Sequence, residues 1–335
     1  MTQKSGNGRS HLAVRVQGLG KTFKLKQKAP GVMGSLRSIW KPITREVTAV
    51  SDISFELERG ELLAFIGPNG AGKSTTIKML TGILYPSEGQ ASVMGYTPWQ
   101  QRRQLAYQIG SVFGQKPQLW YHLPPEDTFR LFSRIYELDE ADYQRRRGFL
   151  VEAFQIQEFL QTPVRKLSLG QRMKCEIAAS LLHGPRIIFL DEPTIGLDVV
   201  AKQQIRHAIR YLNETENVTI FLTSHDAGDV ESLSKRVIVI NHGRIIFDGR
   251  TSTLKRDYLT QKIVDVRFAE PLEESFVLPQ VNTLKQGTYG LKLSFNSREV
   301  PVEQVMQQII ATKPCLDITI TDPPLEEIIR EIYQN

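Results

Sequence analysis

Leu62-Leu63-Ala64-Phe65-Ile66-Gly67-Pro68-Asn69-Gly70-Ala71-Gly72-Lys73-Ser74-Thr75 sets five apolar residues before a glycine-rich turn and a lysine–hydroxyl pair. The apolar run has the length of a buried parallel strand and stops at glycine. The turn fits G-x-x-x-x-G-K-[ST]. Glycines let the backbone wrap an anion without Cβ clashes, so that N–H groups converge on phosphate oxygens. A helix expected over Thr75–Thr81 adds its positive N-terminal end. In this pattern Lys73 reaches the β- and γ-phosphates and the Ser74 hydroxyl ligates Mg²⁺. The candidate nucleotide cradle is therefore Gly67, Pro68, Asn69, Gly70, Ala71, Gly72, Lys73, Ser74 and Thr75. Taken alone, it fits a kinase or a GTPase equally well.

Outward from this turn the chain alternates apolar strands with helical periodicity. Strands are expected at Val47–Leu57, Ile109–Phe113, Ile187–Leu190, Val218–Leu222 and Val237–Ile240, with a weak edge strand at Ala13–Gln17. Helices are expected at Glu126–Leu138, Ala141–Phe159 and Ser168–His183, the last ended by Gly184-Pro185. Gly243 and Asp248-Gly249 read as a closing hairpin. The pattern is that of an α/β fold with a mostly parallel sheet. After about Leu254 it changes: strands at Ile263–Phe268, Leu291–Phe295 and Leu316–Ile320, with helices at Val302–Ile310 and Leu325–Tyr333, describe a small α+β domain. The expected division is a disordered leader over 1–11, a nucleotide-binding domain over 12–254 and the small domain over 255–335.

Four apolar residues, Ile187–Leu190, run into Asp191 and Glu192. A buried strand of this kind delivers carboxylates to the edge of the sheet where ligands bind in open α/β folds. Asp191 then joins the Mg²⁺ shell, and Glu192 orients and deprotonates an attacking water.

An apolar fraction of 41% and a charged fraction of 23% are those of a globular protein. No apolar run approaches the roughly 18 residues a spanning helix needs. Cys175 and Cys315 form no metal or disulfide spacing and read as free thiols. The net charge of +6 is uneven: residues 1–45 hold ten Lys or Arg and no acid, leaving −4 for the rest. Lys24–Arg45 reads as a basic loop insertion with a short helix near Ser35–Trp40. Such a segment can face solvent, anionic lipid or nucleic acid.

Leu167-Ser168-Leu169-Gly170-Gln171, about 20 residues before the acidic strand, resembles the L-S-G-G-Q signature of ABC transporter ATPases. Other family features follow in order: Phe23 as the aromatic residue stacking on adenine, Gln115 as the Q-loop glutamine and Mg²⁺ ligand, Asp198 of Gly196-Leu197-Asp198 as the D-loop, and His225 as the switch histidine. The third signature position departs from the pattern, being Leu169 rather than Gly. Leu169-Gly170-Gln171-Arg172-Met173 with Asp191-Glu192-Pro193-Thr194-Ile195-Gly196-Leu197-Asp198, and the ending Asp322-Pro323-Pro324-Leu325-Glu326-Glu327, resemble the ABC-2-type exporter ATPases, so Leu169 reads as a trait of that branch.

The resemblance covers about residues 12–250. It implies a P-loop ATPase domain with a RecA-like core, an antiparallel β subdomain and a helical subdomain over about 116–184. It implies ATP and Mg²⁺ as cofactors and ATP hydrolysis coupled to transmembrane transport. Two copies would face head to tail, with ATP between the phosphate loop of one and Ser168, Leu169, Gly170 and Gln171 of the other. Glu192 and His225 would be catalytic and Asp198 would communicate across the dimer. A separate transmembrane permease is the expected partner, met through Lys116–Leu123, at the cytoplasmic face of the inner membrane. The basic segment would touch that membrane, and no nucleic acid is expected. Alternatives are a polysaccharide-exporter or importer ATPase, or a non-transport ABC ATPase acting on ribosomes or DNA.

Overall fold

A computed structural model describes residues 11–27, 43–114, 117–258, 261–272 and 276–322. In chain order the strands and helices are β1 (Leu12–Gln27), β2 (Ile43–Glu58), β3 (Leu62–Ile66), α1 (Lys73–Leu80), β4 (Glu88–Val93), α2 (Arg102–Ala106), β5 (Ile109–Phe113), α3 (Pro125–Ile135), α4 (Glu140–Phe154), α5 (Leu169–Leu181), β6 (Ile187–Asp191), α6 (Val199–Glu216), β7 (Thr219–Ser224), α7 (Ala227–Leu233), β8 (Arg236–Asn241) and β9 (Arg244–Arg250). Then come α8 (Thr251–Tyr258), β10 (Gln261–Phe268), β11 (Val281–Gln286), β12 (Gly290–Asn296), α9 (Val302–Thr312) and β13 (Cys315–Thr321). The chain divides into two compact units, Met1–Asp248 and Gly249–Asn335.

In the first unit a six-stranded sheet runs β5-β6-β7-β3-β8-β9. The pairs β5–β6, β6–β7, β7–β3 and β3–β8 are parallel. Its central strands are apolar without interruption because both faces are buried. On one face Leu62, Ile188, Leu190, Ile220 and Leu222 pack with α5 and α6. On the other, Leu63, Phe65, Phe189, Phe221 and Ile238 pack against β1, β2 and α1. The rings of Phe55, Phe65 and Phe221 lie with centroids 5.3 to 6.0 Å apart. Continuous burial of this sort is what makes parallel strands read as unbroken hydrophobic runs.

A second sheet is antiparallel, in the order β2-β1-β4. Here the expected edge strand at Ala13–Gln17 is corrected: β1 is the middle strand and runs through Gln27. Its alternation is weak because Ala13, Val14, Val16 and Leu19 are all buried, whereas Arg15 and Gln17 face out. The proposed loop from Lys24 to Arg45 is also shorter than expected, since Lys24–Gln27 pair with Ile43–Glu46 in a continued ladder. The helix expected near Ser35–Trp40 lies outside the described residues, as do residues 1–10 of the leader expected over 1–11 and the helix at Leu325–Tyr333.

Helix ends differ from the periodicity for backbone reasons. α3 stops at Ile135 because Glu137 takes a positive φ of 55°. α4 stops at Phe154 because Gln155 takes a φ of 52°, and a 3₁₀ turn at Gln157–Phe159 replaces the expected continuation. The closing hairpin turns at His242 and Gly243 alone, both at positive φ as a two-residue type I′ turn requires. Asp248 and Gly249 lie inside β9.

Between α3 and α4 a buried ion pair holds the helical region. Glu126 accepts from Arg147 through both carboxylate oxygens at 2.6 to 3.0 Å and from the Tyr143 hydroxyl at 3.0 Å. Burial pushes the Glu126 carboxyl up, but Arg147, Tyr143 and Arg130 together hold it below its ordinary value.

The second unit carries an antiparallel sheet in the order β11-β12-β10-β13. Val264, Val266, Phe268, Leu291, Leu293 and Phe295 form its core with Val305 and Ile309 of α9.

Candidate functional site

Parallel strands bring their carboxyl ends to one edge, and register does so here within a residue. Ile66 pairs with Ser224, Asp191 with Thr223, and Phe113 with Asp191. The turn after β3, the acids after β6 and His225 after β7 therefore meet, although up to 158 residues separate them in sequence. Between the turn and the two acids lies a cavity of about 390 Å³ lined by Pro68, Asn69, Gly70, Gly72, Lys73, Ser74, Thr75, Asp191, Glu192, Phe113 and Ala49, among others.

Lys73 opens α1 and is 4% exposed. The helix starts two residues before the expected Thr75 because Gly72, at φ 110°, turns the chain directly into it. A Cβ there would sit 2.6 Å from the Ala49 carbonyl oxygen, so only glycine fits. The Lys73 ammonium donates to the carbonyls of Gly67 at 2.7 Å and Pro68 at 3.3 Å, and pairs with Glu192 Oε1 at 3.2 Å. Ser74 Oγ donates to Asp191 Oδ1 at 3.1 Å.

Glu192 has a positive φ of 54°, uncommon for a residue with a Cβ. Its N–H is held by the Thr223 carbonyl and hydroxyl, each at 3.1 Å. That backbone places Oε1 on Lys73 and Oε2 3.3 Å from His225 Nδ1. One carboxylate thus bridges the phosphate-loop lysine and the histidine. Thr223 also donates to Asp191 Oδ1 at 2.7 Å. Sequence reasoning missed this residue, though a hydroxyl ending the apolar run Ile220–Leu222 was its available signal.

A buried network supports the His225 segment. Asp229, fully buried, accepts from Thr194 Oγ1 at 2.5 Å, Ser224 Oγ at 2.6 Å and Arg206 Nε at 2.7 Å. Beside it Asp226 caps α7, and Lys202 donates to it at 2.5 Å. Burial raises the Asp226 carboxyl, but Lys202, Arg206 and the Gly228 N–H hold it below its ordinary range.

Ser168 is the N-cap of α5. Its Oγ accepts from the Gln171 N–H at 3.2 Å while Gln171 Oε1 accepts from the Ser168 N–H at 2.9 Å, a complete capping box. At Gly170 a Cβ would stand 2.8 Å from that of Ala201, so glycine lets α5 approach α6. Leu169 is 38% exposed and its Cδ2 packs over Gly196. Asp198 caps α6 by accepting from Ala201 N–H at 2.8 Å, and Val199 and Val200 beside it are exposed. Ser168–Gln171, Asp198 and His225 are not part of the cavity lining within the chain.

Phe23 lies on β1 opposite Val47, with the Lys21 ammonium 5.3 Å from its ring centroid. It does not line the cavity, although Ala49, two residues beyond Val47, does. Gln115 lies outside the described residues. Pro117, Trp120 and Tyr121 are exposed while Leu119 is buried, so this stretch anchors on Leu119 and presents its aromatic rings outward. Cys175 and Cys315 are free thiols. A larger, shallow concavity of about 650 Å³ around Arg15, Glu88 and Trp99 gathers none of the motif residues.

A family model described as ABC transporter matches residues 50–195. The ABC transporter ATP-binding protein NatA of Bacillus subtilis is 33% identical over 66% of this chain and 89% of its own length. The chain belongs to the ABC transporter ATP-binding proteins. It is an ATP-binding, ATP-hydrolysing subunit of that family. The Nod factor export ATP-binding protein I of Neorhizobium galegae is 30% identical over 85% of this chain and 81% of its own. A solved ATP-binding subunit of an ABC transporter superposes with a TM-score of 0.60, 26% identical, over 73% of this chain and 93% of that one. A dimeric cassette bound to ADP and phosphate shares the fold at a TM-score of 0.59 and 22% identity. Family members act with transmembrane partners. Among the described residues no helix is long and apolar enough to cross a membrane.

Proposed function

We propose that this subunit powers export, as two copies closing on ATP beside a separate membrane permease. The observation that carries the catalytic part is the bridge from Lys73 through Glu192 to His225. An entering γ-phosphate competes with Glu192 for the Lys73 ammonium. Glu192, freed from that pair, accepts a proton from the attacking water, and His225 holds the water and the γ-phosphate. Ser74 Oγ and Asp191 Oδ1, 3.1 Å apart, supply the hard oxygen donors that suit Mg²⁺. Bound there, the ion would neutralise phosphate charge. Gln115 would add a ligand, and Phe23 would stack on adenine.

Ser168, Leu169, Gly170 and Gln171 serve the site of the opposite copy, with Asp198 between the two. The exposure of Ser168, Leu169 and Asp198 supports this, as does the exposed apolar pair Val199–Val200, because one chain does not bring them to its own cavity. Trp120 and Tyr121 meet a cytoplasmic segment of the permease. Export as the direction rests on relatives named for Nod factor export and linearmycin resistance. The membrane contact of the basic segment within Lys24–Arg45, most of which lies outside the described residues, rests on its acid-free composition.

Purification from detergent-solubilised membranes should bring down a separate polypeptide with several spanning helices. Co-sedimentation with ribosomes and none with membranes would sink the transport reading. Replacing the Lys and Arg of Lys24–Arg45 with Gln should weaken binding to anionic vesicles, and unchanged binding would return that segment to a plain loop.

A further inference from the structure

α5 begins at the signature residues and carries, two turns on, a carboxylate that no motif uses. Glu176 is 3% exposed. Its Oε2 accepts from the Gln118 N–H at 2.9 Å and its Oε1 from the Leu119 N–H at 3.4 Å. Among the described residues it has no ion-pair partner, so these two backbone donors are what the carboxylate is aimed at. Burial raises the carboxyl, only partly offset by the two N–H groups and by Arg172. A buried acid kept in so costly a place needs the contact it makes.

The loop it holds faces two ways. Upstream, Phe113 lines the nucleotide cavity and the Gly114 N–H donates to the Asp191 carbonyl at 3.0 Å. The Gln118 side chain donates back to the Ser111 carbonyl, pinning the turn to β5. Downstream, Leu119 is buried and Trp120 and Tyr121 are 51% and 56% exposed. α5 is one rigid element whose N-terminus presents Ser168–Gln171 and whose middle grips the root of the aromatic pair.

We propose that Glu176 is a positioning residue, a latch through which movement of the signature end of α5 on ATP binding displaces Trp120 and Tyr121. The proposal rests on the reading that Ser168–Gln171 engages ATP across a dimer. The physical requirement is only that the loop follow the helix. Hydrogen bonds from two successive backbone N–H groups to one side chain supply that, since they fix the root of the loop to the helix in position and direction.

The test uses the full-length chain with Trp120 as its remaining tryptophan (W40F/W99F). Acrylamide quenching is measured with and without Mg²⁺ and a non-hydrolysable ATP analogue, whose binding is followed separately by equilibrium dialysis. The analogue should shift Trp120 quenching. Glu176→Ala should abolish that shift while analogue binding persists, and Glu176→Gln, which keeps one acceptor oxygen, should retain an intermediate shift. An undiminished shift in Glu176→Ala overturns the latch. If that variant does not fold, a full shift in Glu176→Gln overturns it instead. Analogue binding without any Trp120 shift in the parent also overturns it and leaves the nucleotide site standing. Absence of analogue binding in the parent would strike the functional reading itself.

Discussion

Two halves of the motif set are built on opposite principles. The phosphate-loop half is closed on itself: Lys73 is 4% exposed, Glu192 14%, and each polar atom named there has a partner on a neighbouring strand end. The signature half looks outward: Leu169 is 38% exposed, Val199 72% and Val200 63%, and the polar groups of Ser168 and Asp198 are spent on capping their own helices. The first half is a cradle ordered within one chain, whereas the second is a surface held rigid by caps. The difference teaches that substitutions in the inward half act on the chemistry, and those in the outward half on what the chain meets.

The largest effect belongs to the inward half. Glu192→Gln should lower steady-state phosphate release by about 10²–10⁴-fold, the usual range for a general base, while ATP binding persists. Normal turnover in that variant would remove Glu192 from its role. Lys73→Ala should lower hydrolysis by about 10²–10³-fold, as loss of a preorganised charge does, and full activity would overturn the phosphate-loop assignment.

The helical region tests whether inward polar groups matter there through stability rather than chemistry. Arg147→Ala leaves the buried Glu126 with only Tyr143 and the exposed Arg130, and should cost about 3 kcal/mol in denaturant unfolding at neutral pH. The sign follows from the lowered Glu126 carboxyl. Its stabilising contribution is full above the ordinary value of 4.5 and is lost as pH falls through the lower folded value, so the gap between parent and variant should narrow in acid. Glu176 has the opposite sign, its raised carboxyl favouring the fold less as pH rises from its ordinary value through the folded one. A gap independent of pH would refute the pairing argument.

The outward half should give the smallest changes to the monomer. Ser168→Ala removes an N-cap and should cost about 1 kcal/mol, read as a lower melting temperature. Val199→Asp with Val200→Asp touches only exposed side chains and should move stability by less than about 0.5 kcal/mol. The same pair should nevertheless prevent ATP-dependent dimerisation in light scattering. Retained dimerisation would place the interface elsewhere and erase the contrast between the halves.

Much of this was legible before the fold. The apolar runs of β3 and β6 are local and long enough to be unambiguous, and the glycines and acids at their ends carry chemistry in their spacing. Leu169 could be seen to depart from the signature, but not that its side chain would cover Gly196. β1 read as an edge because Ala13, Val14 and Val16 leave little alternation, whereas pairing on both sides made it central. Phe23 carried a family role in its position, yet its neighbours are Lys21 and Val47 and not the cavity wall.

What short-range pattern displayed is therefore the set of candidate parts: strand, cradle, acid pair, signature, histidine. Periodicity and motif spacing act over a few residues, and a single chain displays them directly. What only the folded chain decided is which groups hold those parts. Thr223 reaches Asp191 across 32 positions, and Glu176 reaches Gln118 across 58. Such partners are chosen by strand register and helix packing, which depend on the whole sheet at once.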